Sequence, residues 1–439
     1  MASPPVSSSS SSIVRLAPTP PGSDVSNNTR GSVLLDMDCH IANLPNATTA
    51  TGTTSTGLRI EVTLHTANPP IASRLCVHCP SLEFGYYTPK LVATDANLVL
   101  FYVFVYPNGM VTSHGCDYFV YRPGPDVDRR LDLLPNPFPK YLNYCSIAFI
   151  SRDGGSSYVV ASLGMEQPVF NGDDVIISLD FDVLLYDSES KRWTTKRLPV
   201  PDLRRDEVAP LPDAMDVRLY QETHKAITIG GERGTVAWVD LWRGVLLCDV
   251  LAECPVLHDI PLPLPSKANW GYFLRQYDPR YIRDVAIHRH SNSIKYIEVE
   301  RQSPGMQHNN NSSSGLQTTH YGWKAAMWSM PLTTGCSSTA AWQRDCEFDA
   351  DDNTLSSCST GGMLQGLSVA CPTISMDGDV VYFRSTSRSG CRDESEMLLA
   401  IDMRKGTLQA AAELDVQIKN LFIRTFCTSE ICRYLGSQN

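Results

Sequence analysis

The feature that most constrains this chain is a recurring unit of four short apolar runs. In each unit, two runs flank a polar or Gly-rich turn. Examples are CSIAFISRDGGSSYVVASL (145–163), KAITIGGERGTVAWVDL (225–241), DVAIHRHSNSIKYIEVE (284–300) and LSVACPTISMDGDVVYFR (367–384). Turns of the Asp-Gly type between such runs are strong hairpin signals. A third run follows each hairpin: FVYRPG (119–124), VLLYDS (183–188), VLLCDV (245–250), AMWSMP (326–331) and LLAIDM (398–403). A fourth, edge-like segment completes each unit: 129–135, 194–200, 257–263, 344–349 and 411–415. The third runs align on Tyr121, Tyr186, Cys248, Trp328 and Ile401, at spacings of 65, 62, 80 and 73 residues. The two long intervals contain polar stretches, at 303–319 and around 349–362.

Four antiparallel strands repeated at a near-constant period predict a β-propeller. One such sheet cannot cover its own faces, so its neighbours must. Five units are visible. SVLLDMDC (32–39), LRIEVTL (58–64) and Arg74–His78 supply much of a sixth. The expected fold is all-β, a single propeller of about six four-stranded blades, with one blade shared between the chain ends. Five or seven blades are alternatives. A large β-sandwich is another, disfavoured because sandwich strands show no four-strand recurrence. Val416–Leu435 is the main helix candidate. Residues 1–30, with six consecutive serines, read as a disordered low-complexity tail. The propeller is expected over 31–439, with polar insertions at 303–319 and 345–362 on a loop face or the rim.

Composition narrows the function classes. The chain has 37 basic and 47 acidic residues, a net charge of −10. That balance argues against nucleic-acid binding, which needs a Lys/Arg patch. No run of 18 apolar residues is present, so no membrane helix is expected. The 14 cysteines lie mostly in apolar runs, for example Cys145, Cys248 and Cys371. Free cysteine behaves there as a small buried hydrophobe. An intracellular chain in the cytoplasm or nucleus is expected. A plastid destination is the alternative suggested by the Ser-rich start.

Motifs that carry chemistry are sparse. Cys76-Val-His-Cys79 lacks the second ligand pair that zinc requires, and Cys427 and Cys432 lack one too. His288 and His290 share a strand face before a turn and read as exposed. Asp173-Asp174 and Asp351-Asp352 read as solvated loop carboxylates. No nucleophile elbow, phosphate-binding loop or dinucleotide fingerprint occurs. No catalytic, metal or cofactor residue is assigned, and no enzymatic activity is expected. The most distinctive string is Trp238-Val-Asp240-Leu-Trp242-Arg243-Gly244. Strand alternation would put Trp238, Asp240 and Trp242 on one face. Inter-blade packing is the expected role of the tryptophans, with ligand contact as the alternative. Asp240 and Arg243 would order the turn.

GTVAWVDLWRGVLLCDVL (234–251) and PVLHDIPLPLP (255–265), followed by RDVAI (283–287) and IKYIEV (294–299), resemble the plant domain of unknown function 1618 family, which is expanded in grasses. The similarity extends over roughly 30–435, with its core at about 140–350. It implies a propeller similar to the substrate-recognition propellers of F-box proteins, and it brings no assigned enzymatic activity. The expected function is a non-catalytic protein-interaction scaffold acting as a monomer, with an unidentified protein partner. The alternatives are a lyase- or glycosidase-type enzyme acting in a central funnel, and a carbohydrate-binding propeller.

Overall fold

The computed structural model describes residues 31–84, 87–105, 115–124, 129–170, 176–205, 221–289, 291–301, 322–332, 341–350, 368–386, 396–414 and 424–435. The expectations placed on 1–30, 303–319, His290, Asp173-Asp174 and Asp351-Asp352 lie outside these residues.

The chain opens with β1 (Val33–Asp36). Blade 1 holds β2 (His40–Ile41), β3 (Ala50–Thr53), β4 (Arg59–His65) and β5 (Arg74–His78), in the order β2-β5-β4-β3. The next five blades are four-stranded meanders in sequence order. Blade 2 holds β6 (Lys90–Asp95), β7 (Leu98–Phe104), β8 (Cys116–Arg122) and β9 (Arg130–Leu133). Blade 3 holds β10 (Ile147–Arg152), β11 (Ser157–Phe170), β12 (Ile176–Asp187) and β13 (Arg192–Val200). Blade 4 holds β14 (Lys225–Gly230), β15 (Thr235–Asp240), β16 (Gly244–Asp249) and β17 (His258–Pro261). Blade 5 holds β18 (Arg283–His288), β19 (Ser293–Arg301), β20 (Trp323–Pro331) and β21 (Gln343–Asp349). Blade 6 holds β22 (Ser368–Ile374), β23 (Val380–Thr386), β24 (Glu396–Asp402) and β25 (Thr407–Glu413), and β26 (Phe426–Ser429) follows.

The blades form a ring because their middle strands are apolar on both faces. In β7, Val99, Phe101 and Val103 pack in a core shared with blade 1. The alternate residues Leu98, Leu100 and Tyr102 pack in a core shared with blade 3. Further cores join blades 3 and 4, 4 and 5, and 5 and 6. A sixth sets Tyr382, Leu398 and Ala400 of blade 6 against Leu34 and Ala72 from the N-terminal strands. Six cores between six successive sheets make a closed six-bladed propeller. Burial on both faces is why its strands read as unbroken apolar runs.

The two chain ends close the ring together. β1 pairs antiparallel with β26, from Val33↔Ser429 to Asp36↔Phe426. The Asp36 carboxylate, fully buried, accepts from Arg424 Nε at 3.0 Å. The helix expected over Val416–Leu435 is therefore corrected over its described part, 424–435: 426–429 is a strand and Ile431–Tyr434 forms a 3-10 turn, while 416–423 lie outside the described residues. Pairing with β1 supplies backbone hydrogen bonds that outweigh local helical preference. The insertion expected at 345–362 starts later, because Gln343–Asp349 is the fourth strand of blade 5. His288 is corrected as well. It is buried, and Nε2 accepts from Gly378 N at 3.1 Å in the β22–β23 turn.

Candidate functional site

The innermost strands β6, β10, β14, β18, β22 and β26 run in the same direction around one axis. A channel of about 520 Å³ lies between them, within the size range of small-molecule pockets. At its mouth stand the residues that precede or begin these strands: Lys90, Tyr144, Cys145, His224, Asp278 and Arg280. Lower down are Lys225, Asp284 and Thr228, then Thr94, Ile287, Arg289 and Met376.

The far end is spanned by charge. β6 and β18 lie opposite each other in a six-bladed ring. Arg289, just past β18, reaches Asp95 at 3.2 Å and Glu430 at 3.5 Å. Asp95 also accepts from Ser151 N at 2.8 Å. Burial pushes its carboxyl above the ordinary carboxylate range, against the pull of Ser151 N–H and Arg289.

The mouth is ordered by local pairing. Asp278 caps the short turn Pro279–Tyr281, and its carboxylate holds Arg280 through Nε at 2.9 Å and Nη2 at 2.6 Å. Burial raises the Asp278 pKa, but these bonds outweigh it and leave the carboxyl below its usual range. Lys90 pairs with Asp38. Lys225 reaches Asp284 at 2.8 Å, and Asp284 also accepts from Ile374 N at 3.0 Å. Burial pushes the Cys145 thiol up, so it stays protonated at neutral pH. Cys76 and Cys79 are both buried. Among the described residues, no group of three or more His, Cys, Asp or Glu could hold a metal ion.

The same face carries exposed aromatics. Tyr87 precedes β6, while Phe138, Tyr141 and Tyr144 precede β10. Trp270, Tyr277 and Tyr281 precede β18. All seven are more than a third exposed, and Phe138 reaches 75%. These segments connect an outer strand to the next inner strand, so they lie on the face where the channel opens. Among the described residues, Tyr434 is the one comparably exposed aromatic beyond the far end.

The signature residues sit beside this mouth. Trp238 is fully buried in the core between blades 3 and 4, donating Nε1 to Ser146 O at 2.8 Å. Asp240 ends β15 and accepts from the backbone N–H groups of Trp242 (3.0 Å), Arg243 (3.2 Å) and Glu222 (3.1 Å). That capped turn breaks the strand alternation, so the shared face expected for Trp238, Asp240 and Trp242 does not form. Trp242 points the other way, to the blade 5 side. It meets Phe273 edge-on at 5.6 Å and donates Nε1 to Tyr277 O at 2.8 Å. Arg243 is buried in the same turn, where its carbonyl accepts from Leu262 N. Gly244 is required by close approach: a Cβ there would meet Ile260 O at 2.7 Å.

Sequence reasoning missed Arg283, the partner of this turn. Its guanidinium lies 4.8 Å from the Trp242 ring and donates to Leu241 O at 2.9 Å and Glu298 Oε2 at 3.1 Å. Glu298 in turn accepts from Tyr296, Ser266 and Asn269. The WVDLWRG and RDVAI blocks are thus one buried unit. Its signal was an arginine leading an apolar strand. Asp95, Asp278, Arg280 and Arg289 carried no comparable signal.

Residues 238–382 match the family model described as protein of unknown function (DUF1618). Over this segment the chain is similar to that family. The DUF1618 match runs from β15 to β23 and contains the capped turn, Asp278, Arg280, Asp284 and Arg289. No curated protein matches the chain. Among solved structures, the chain is similar to the WD40 domain of SCAP from fission yeast at 10% identity and TM-score 0.31, covering 88% of this chain and 91% of that one. It is also similar to the Hadza microbial sialidase Hz136 at 10% identity and TM-score 0.30, covering 82% and 66% respectively. Likenesses this distant carry no inference about activity. No described helix is long and apolar enough to cross a membrane.

Proposed function

We propose that this chain is a non-catalytic recognition propeller that engages a protein partner on the face where the channel opens. The observation that carries the reading is the set of exposed aromatics on the connections into β6, β10 and β18. Exposed Tyr and Trp supply large contact area at low entropic cost and dominate binding hot spots. The channel chemistry points the same way. Asp278 is engaged with Arg280 and Asp284 with Lys225, and the Cys145 thiol is held neutral. These groups are arranged as internal pairs rather than as an available base and nucleophile.

The test is partner capture by the full chain against the variant Phe138→Ser, Tyr141→Ser, Trp270→Ser. All three residues are exposed, so the melting temperature should stay within about 2 °C of the parent. Loss of a reproducibly captured protein with folding retained is the expected result. Undiminished capture would contradict this face as the binding surface.

A further inference from the structure

We infer that the channel is also a binding pocket for a small aromatic carboxylate. This inference is independent of the partner reading. It rests on shape, wall chemistry and a surplus of hydrogen-bond donors.

The shape is that of a channel crossed by an ion pair at one end. Arg289 ties Asp95 to Glu430 across the far end. Its volume of about 520 Å³ accommodates a one- or two-ring molecule with most of its surface covered.

One wall is aromatic. Tyr87, Tyr102, Phe104 and Tyr144 all line the cavity. Their rings contact one another: Tyr87–Phe104 at 5.0 Å, Tyr102–Phe104 at 5.4 Å and Tyr102–Tyr144 at 5.4 Å. A planar ring slid against this wall would gain stacking contacts beyond its buried area.

The polar groups facing the wall are unbalanced. Asp278 and Asp284 are the carboxylates of the lining, and each already faces a cation. Asp278 accepts from the Arg280 backbone N–H, Nε and Nη2. Asp284 accepts from Lys225 on one oxygen and Ile374 N on the other. Two of the lining cations, Arg280 and Lys225, carry more N–H donors than their carboxylate partners take up. Arg280 uses Nε and Nη2 on Asp278 and also bonds Tyr144, out of the five N–H donors of a guanidinium. Lys225 makes one contact with Asp284, whereas an ammonium carries three donors. A ligand that brings a negatively charged acceptor fits these cationic donors. An oxyanion on an aromatic body satisfies both the donors and the wall. Charge-assisted bonds to it are about twice as strong as neutral ones.

The experiment is calorimetric titration of the full chain with naphthoate, with naphthamide as the uncharged isostere and naphthylmethylammonium as the cation. The expected result is one naphthoate bound per chain, with the amide at least about tenfold weaker, as loss of a charge-assisted bond implies. The cation should not bind. Lys225→Met combined with Asp284→Asn removes the donor without stranding a buried charge. Tyr144→Leu removes the most exposed ring of the wall. Each should weaken naphthoate about tenfold or more, with the thermal transition retained. Absence of naphthoate binding up to millimolar concentration would overturn the pocket. Equal binding of acid and amide would overturn the charge assignment. Undiminished binding by both variants would move any binding elsewhere. The aromatic-rim triple variant should bind naphthoate normally, which separates this outcome from failure of the partner reading.

Discussion

Arg424→Ala tests ring closure through a single buried contact. Arg424 and Asp36 are 388 positions apart, and their ion pair sits at the end of the β1–β26 ladder. Asp36 is wholly buried, while Arg424 is nearly so. Removing the arginine leaves a buried carboxylate with only His40, at 3.7 Å, and the Asp38 N–H, at 3.1 Å, beside it. Breaking a buried pair on one side costs about 3–5 kcal/mol. With the usual unfolding entropy per residue, that lowers Tm by roughly 4–6 °C for a chain of this size. The sign of the pH dependence is a second readout. Burial raises the Asp36 pKa, but His40 and Arg424 outweigh it and hold the carboxyl below its ordinary value. In the parent, the pair's stability is present above the unfolded carboxylate pKa of about 3.9 and is lost as pH falls through the lower folded value. In the variant, burial prevails, the carboxyl rises, and protonation relieves the penalty. The stability gap between parent and variant should therefore narrow as pH falls from 7 towards about 4. Calorimetry and urea titration at several pH values measure it. The double variant Asp36→Asn, Arg424→Met should cost less than Arg424→Ala, because no charge is stranded. A parental Tm for Arg424→Ala, or a double variant worse than the single, would refute this closure.

Other outcomes follow from the same contacts. Trp242→Ala should destabilise by about 3–5 kcal/mol in denaturant titration, since it removes a buried ring on Phe273 and Arg283. Gly244→Ala should cost about 1–3 kcal/mol, because its Cβ meets the Ile260 carbonyl and backbone must move. Asp95→Asn should cost less at pH 7 than Arg424→Ala. Its raised pKa means that folding already disfavours its charge, and that stability, present at low pH, is lost as pH rises through the folded value.

Much of the ring was legible because propeller strands are buried on both faces. LVLFYVF and TVAWVD, all buried but for one end residue each, have no polar face to confuse with a helix. β26 was not legible, since Phe426–Ser429 is four residues long and half polar, and its partner lies at the other chain end. The signature turn was legible as a unit, but not its direction. The Asp240 cap turns Trp242 away from Trp238, a consequence of backbone geometry rather than of alternation. The channel was hidden for a different reason. Its residues come from strands far apart in sequence, and its polar side chains resemble solvated strand termini. Arg283 and Asp284 look like such a terminus, and both are buried.

The most direct test of the central claim is site-specific photo-cross-linking, with a photoreactive phenylalanine at Phe138, Tyr141 or Trp270 on the mouth face and at Ser156 or Lys405 on the opposite face. All five positions are exposed. The account predicts adducts of one common mass from the three mouth positions and none from the two opposite ones. Adducts confined to Ser156 and Lys405, or equal yields from both faces, would contradict it.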